Sequence, residues 1–111
     1  MSDTTAREIF EETLPKKLKD NPDDAKATNA IYVFNLTGDD GGTWTLNFKK
    51  DEDFVTEGEH EDAECIVTMT DSDFVDMWFG NLNPAQAFMM NKISIEGNMG
   101  LAMKLQSFIG D

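Results

Sequence analysis

The chain is poor in the residues from which catalytic and crosslinked sites are built. One cysteine, Cys65, and one histidine, His60, stand among 111 residues. A lone cysteine excludes an internal disulfide, and the pair falls short of the ligand count of a zinc site. Bases are scarce as well. Nine Lys and Arg against 22 Asp and Glu leave a net charge of −13. That charge repels phosphate backbones, so nucleic acid is not an expected partner, and it weakens broad docking on anionic membranes. A carboxylate-rich surface fits either adaptation to high salt or an acidic protein of an ordinary cytosol, since eight lysines are retained. Long apolar runs are missing. Stretches such as Ala87 to Met90 are far shorter than the roughly 20 residues that cross a bilayer. The N-terminal Met1-Ser2-Asp3-Thr4-Thr5 lacks the basic-then-apolar layout of a secretion signal. The expected setting is the cytoplasm.

What remains is ordinary globular material. Hydrophobic residues make up 40% of the chain, enough for one core, and the length suits a single domain over residues 1–111. Ala6, Ile9, Phe10 and Leu14 fall at helical spacing behind a Thr4 or Thr5 cap, with Glu8, Glu11 and Glu12 outward. Pro15 is expected to kink that helix or end its first part, and Asn21-Pro22-Asp23-Asp24 reads as a break. From Ala30 the period drops to two. Ile31 to Leu36, the turn Gly38-Asp39-Asp40-Gly41-Gly42, and Thr43 to Phe48 make a hairpin. Phe54 to Thr56 and Ala63 to Thr70 add two strands, for which a meander is the simplest topology.

Thr70-Asp71-Ser72-Asp73 has the form of a capping box, opening a helix that Gly80 stops. Asn83-Pro84 opens another as cap and first helical residue. Lys92 to Glu96 is a short strand, and Gly97-Asn98 turns into a last helix from Met99 to about Ile109. The order of elements is that of an α+β domain.

Apart from Met1, every methionine lies in the C-terminal half, at 69, 77, 89, 90, 99 and 103. Most sit on the helices with Phe74, Trp78, Phe79, Phe88 and Phe108. Unbranched, polarizable methionine suits irregular apolar surfaces, although plain core packing would use it too. The last helix is apolar on two sides: Met99, Ala102, Met103, Gln106 and Ile109 on one, Leu101, Leu105 and Phe108 on the other. Both sides call for burial, one against the sheet and one against a cavity.

No constellation carries catalysis. Cys65 falls on an alternating apolar strand, where cysteine behaves as a small hydrophobe, and His60 lies beyond an acidic turn. Asp39-Asp40-Gly41 and Asp51-Glu52-Asp53 lack the ligand spacing of a calcium loop. Gly97-Asn98-Met99-Gly100 lacks both the Walker lysine and the dinucleotide spacing. No catalytic residue, metal or cofactor is expected.

Over nearly its whole length the chain resembles a sterol carrier protein 2 (SCP-2) domain. The matching pieces run from Asn29-Ala30-Ile31-Tyr32-Val33-Phe34 through Gly42-Thr43-Trp44-Thr45-Leu46, then from Ala63 to Phe74 and from Leu82 to Phe88. The most specific is Ile95-Glu96-Gly97-Asn98-Met99-Gly100-Leu101-Ala102-Met103-Lys104-Leu105. The resemblance implies a five-stranded, mostly antiparallel sheet covered by helices, with a hydrophobic tunnel between the layers. It also implies non-covalent binding and transfer of fatty acid, fatty acyl-CoA, phospholipid or sterol, with transient membrane contact. By position, Phe74, Met77, Trp78, Phe88, Met89, Met99, Met103 and Gln106 fall where the family's tunnel is lined. The ending Phe108-Ile109-Gly110-Asp111 differs from the peroxisomal tripeptide of many eukaryotic members. Some members meet membranes through a basic N-terminal helix; here Lys16, Lys17 and Lys19 are offset by Glu8, Glu11, Glu12 and Asp20.

The expected function is therefore non-catalytic lipid carriage. Two alternatives stand beside it. One is a docking module that seats a partner protein in a methionine-rich groove. The other is an accessory domain to a lipid-metabolising enzyme on a separate polypeptide, because 111 residues leave no room for a catalytic domain.

Overall fold

A computed structural model describes residues 5–20, 22–39, 41–49 and 54–104. The N-terminal helical segment comprises α1 (Ala6–Glu8), a π-helical turn (Ile9–Thr13) and α2 (Leu14–Asp20). The Thr5 hydroxyl caps it by accepting from the Glu8 N–H at 3.2 Å. Pro15 neither ends the helix nor breaks it. A proline in mid-helix has no N–H and its ring crowds the carbonyl four residues back. The preceding turn is wound wider, so that the Leu14 N–H reaches the Ile9 carbonyl, and the helix then continues. Residues 22–28 form a further helix, α3 (Pro22–Thr28), where polar composition suggested only a break.

Strand β1 (Ile31–Thr37) is apolar on both faces, and Ile31 to Phe34 are all buried. Such a strand cannot sit at an edge. It pairs antiparallel with β2 (Gly42–Asn47) on one side and parallel with β4 (Cys65–Thr70) on the other. Strands β3 (Val55–Glu57) and β5 (Ser94–Gly97) lie outside these, giving the order β3-β2-β1-β4-β5. The sheet is mixed, and the simple meander ends at β3. A continued meander would have left β1 with an unpaired edge.

Because β3 and β4 run the same way, residues 58–64 cross over β2 and β1. The Thr45 hydroxyl donates to the Gly58 carbonyl at 2.7 Å and the Glu64 N–H to the Ile31 carbonyl at 2.8 Å. This crossover covers the sheet face that carries Ile31, Val33 and Thr45.

The other face carries the helices. Tyr32, Phe34, Trp44, Leu46, Cys65, Val67 and Met69 pack there against Ile9, Phe10, Leu14 and Leu18 of the N-terminal helical segment. Helix α4 (Asp71–Trp78) adds Phe74, Met77 and Trp78. Its cap is as expected, with the Thr70 hydroxyl accepting from the Asp73 N–H at 3.1 Å. Gly80, at φ +82°, follows its end. Helix α5 (Pro84–Met89) is capped by the Asn83 carbonyl, and α6 (Met99–Lys104) follows β5. Phe10 is the hub of this core. Its ring stacks on Trp44 and on Phe74, both with centroids 4.8 Å away, and tilts against Phe34 at 5.3 Å.

Candidate functional site

The expected site residues divide into two groups. Phe74, Met77 and Trp78 are buried in the aromatic core on α4. Phe88 and Met89 on α5, and Met99 and Met103 on α6, turn outward. Phe88 is 41% exposed, Met89 81% and Met103 69%. Gln106 lies outside the described residues, as does the last part of the expected final helix. Phe79 and Met90, beside these elements, are exposed too.

The helix layer is thus uneven. Toward the N-terminus, Phe10 and its neighbours fill the space over the sheet. Toward the C-terminus, Ala87 is the one side chain of α5 that is buried in the core among those described, while Phe88 and Met89 stay exposed. Helix α6 half-buries Leu101 and Ala102 against the sheet and leaves Met99 and Met103 outside. Among the described residues the packed pair takes one residue from each of the two expected apolar sides, Ala102 from one and Leu101 from the other.

What holds α6 is a set of contacts to backbone atoms. The Tyr32 hydroxyl, on the fully buried ring of the central strand, donates to the Leu101 carbonyl at 2.8 Å. The Asn98 side chain accepts from the Leu101 N–H at 3.2 Å, capping the helix, and its own N–H donates to the Glu64 carbonyl at 3.0 Å. Gly97 stands at φ +98°, and any Cβ there would run into that same Glu64 carbonyl oxygen. The Glu64 carboxylate in turn accepts from the Ile31 N–H at 3.2 Å and the Lys49 ammonium at 3.3 Å. The Gly-Asn turn, legible in the sequence as a turn, therefore fixes where the helix lies. The roles of Tyr32 and Glu64 had no local signal.

Burial pushes the Tyr32 hydroxyl well above the usual tyrosine range, with Cys65 and Glu64 nearby raising it further. Burial likewise raises the Cys65 thiol. A buried, protonated thiol is a poor nucleophile. His60 lies on the crossover, where its Nδ1 accepts from the Asp62 N–H at 3.1 Å. A polar cavity of about 470 Å³ there is lined by Glu59, His60 and Glu61. It belongs to the crossover side of the sheet, not to the apolar helix layer. Among the described residues no group of three or more His, Cys, Asp or Glu could hold a metal ion. No described helix is long and apolar enough to cross a membrane.

Residues 10–110 match the SCP-2 sterol transfer family. The chain belongs to that family. Human hydroxysteroid dehydrogenase-like protein 2 is 49% identical over 88 residues, which is 78% of this chain and 21% of that protein. The chain thus spans about a fifth of the length of the curated relatives it matches. Among solved structures, sterol carrier protein domain 2 of Helicoverpa armigera superposes with a TM-score of 0.77 at 32% identity, over 96% of this chain and 87% of that one. Sterol carrier protein-2 of Aedes aegypti, in complex with the C16 fatty acid palmitate, gives 0.74 at 24% identity, over 94% and 93%. The five-stranded sheet with its helices is the SCP-2 fold.

Proposed function

We propose that this chain is one lipid-binding domain, residues 1–111, acting in the cytoplasm as a non-catalytic carrier. It holds the apolar tail of a fatty acid, acyl-CoA, phospholipid or sterol in a tunnel between the sheet and the α5–α6 side of the helix layer. Phe74, Met77 and Trp78 form the inner wall of that tunnel. Phe88, Met89, Met99 and Met103 face the ligand near its entrance, with Gln106 toward the head group. The observation that carries the reading is the uncovered apolar surface of α5 and α6 in a member of a sterol transfer family. Water-exposed methionine and phenylalanine in this number are worth covering, and a hydrocarbon chain does so without specific polar contacts.

The magnitudes suit a carrier. Each buried methylene contributes about 0.8 kcal/mol, so a C16 tail offers on the order of 12 kcal/mol before ordering and lost translation oppose it. What remains corresponds to roughly micromolar to nanomolar affinity, which allows both loading and release.

Denaturing mass spectrometry of the purified protein should find co-purifying lipid. In displacement of a fluorescent fatty acid, Met103→Lys should weaken binding more than Glu57→Lys, with both proteins folded. Equal loss in both, or in neither, contradicts the assigned lining. A second reading is favoured by the length of the relatives. A chain that matches a fifth of a dehydrogenase-like protein also suits an accessory domain presenting lipid to an enzyme. Retention of lipid transfer by the chain alone distinguishes the carrier from that role.

A further inference from the structure

Strand β5 is an outer strand of the sheet. It pairs antiparallel with β4, Ser94 opposite Thr68 and Gly97 opposite Cys65, and the Asn98 N–H continues the ladder to the Glu64 carbonyl at 3.0 Å. In an antiparallel ladder successive residues direct their backbone groups to alternate sides. Asn98, Glu96 and Ser94 therefore bond toward β4. Ile95 and Gly97 aim their N–H and C=O groups outward, with Ile93 in phase. Among the described residues no strand takes up that outer row, and an unpaired row is a template for another chain. The side chains alternate as well: Ile93 is buried and Ile95 half-buried, whereas Lys92, Ser94 and Glu96 are exposed. Neither Lys92 nor Glu96 is in an ion pair among the described residues. Four positions apart in extended chain, they stand about 13 Å from each other, too far to pair within one copy.

We propose that β5 pairs antiparallel with β5 of a second copy of this chain, about a two-fold axis through Ser94, joining the two five-stranded sheets edge to edge. The residues of the edge select both that occupant and that register. With Ser94 opposite its own counterpart, Lys92 of each copy faces Glu96 of the other, and Ile93 faces Ile95. The outward backbone groups at 93 and 95 then meet as hydrogen-bonded pairs. Lys92 and Glu96 fall in the alternate pairs, whose Cα atoms approach to about 4.5 Å and whose side chains lie closer together. Moving the axis to Ile95 would set Glu96 against Ser94 and Lys92 against Asn98, and both ion pairs would be lost. The other outer strand, β3, offers no such match. From Phe54 to Glu59 there are two acids and no base, and Glu57 is already held by Arg7 at 3.5 Å. Each copy carries −13, but at physiological salt charges beyond about 8 Å are largely screened, which leaves the facing pairs to decide. The contact is narrow, so the dimer is a weak one.

The test is sedimentation equilibrium of the full chain in about 0.15 M salt. The wild type should dimerise with a dissociation constant of about 10–500 µM. Lys92→Glu and Glu96→Lys should each weaken association by about tenfold or more, because each sets like charges face to face at both ends of the contact. The two substitutions move the net charge in opposite directions, so a common loss reports the facing pair and not the total. Mixed in equal amounts, the two variants should associate within about threefold of the wild type, since every facing pair is again complementary. The chain carrying both substitutions should do the same. Lys26→Glu, at an exposed position on α3, should change association by less than about twofold. Near-ultraviolet circular dichroism from Trp44 and Trp78 checks that each variant is folded. Ser94→Asp, which sets like charges across the axis itself, gives the same loss if either of the first two does not fold. The proposal is overturned if the wild type stays monomeric at about 1 mM, if Lys92→Glu associates as the wild type does, or if the mixed variants stay monomeric.

Discussion

Replacing Phe10 by alanine is the sharpest test of the division between a filled and an unfilled part of the helix layer. The ring is fully buried and touches three others, stacking at 4.8 Å on Trp44 and Phe74 and tilting at 5.3 Å against Phe34. A buried Phe→Ala change costs about 3–5 kcal/mol through lost transfer energy and the cavity left behind. Ring pairs add about 0.5–1.5 kcal/mol each beyond area, which places this site in the upper part of that range. Domains of this size are stable by about 5–15 kcal/mol, so a loss of about 4–5 kcal/mol is a large fraction. With a urea m-value of about 2 kcal/mol/M, the midpoint should fall by about 2–2.5 M. Phe10→Leu keeps most of the volume and should lose about 1–1.5 kcal/mol, giving a folded reference if the alanine variant does not fold. Phe88→Ala, at a ring 41% exposed, should cost under about 1.5 kcal/mol yet weaken fatty acid binding. Urea unfolding followed by tryptophan fluorescence measures all three. Equal destabilisation by Phe10→Ala and Phe88→Ala would refute the division.

Two further outcomes follow from the ties around α6. Gly97→Ala combines a disfavoured positive φ with a collision at the Glu64 carbonyl, and should cost about 2–4 kcal/mol while weakening lipid binding; an unchanged unfolding midpoint would show that the turn relaxes freely. Stability should also fall in alkali. Tyr32 and Cys65 both have raised folded-state pKa values, so above roughly pH 9–10 the unfolded chain releases protons that the folded one keeps, and stability present below that range is lost as pH rises. Tyr32→Phe with Cys65→Ala should flatten urea midpoints between pH 9 and 11, and an unchanged slope would assign the effect elsewhere.

The parts of the fold legible in the sequence are those with local causes. Alternation across Ile31–Leu36 and Thr43–Phe48, joined by glycine and aspartate, determines the hairpin. Thr70 before Asp73, and Asn83 before Pro84, mark helix starts because capping is a contact over two or three residues. The parallel pairing of β1 with β4 left no such mark, since Tyr32 and Cys65 are 33 positions apart and either edge of β1 could receive the strand. The Tyr32–Leu101 hydrogen bond spans 69 positions. The π turn before Pro15 was hidden because proline signals a conflict without specifying its relief. For the site, composition located the apolar surplus but not its direction. Phe74 and Met89 read alike as apolar residues on neighbouring helices. Only the packing of Phe10 and Phe34 against the first, and the exposure of the second, separates them.

That separation has a consequence on α6 itself. Its position is maintained, among the described contacts, through the Leu101 backbone, the Asn98 cap and the Gly97 approach, and the exposed Met99 and Met103 take no part in these. A helix fastened by its backbone can present almost any outward face without losing its place. Stability and ligand affinity should then respond to different substitutions on one element. Tyr32→Phe removes the donor to the Leu101 carbonyl and should cost about 1–2 kcal/mol of stability. Met103→Lys, at a side chain 69% exposed, should cost less than about 0.5 kcal/mol while weakening fatty acid binding. In a double-mutant cycle the two stability effects should add within about 0.5 kcal/mol, because the residues share no partner among the described contacts. Their effects on affinity should couple, since Tyr32 fixes the helix on which Met103 is carried. Strong coupling in stability would place Met103 in the folded core after all, and strict additivity in affinity would mean that the ligand does not depend on where α6 lies.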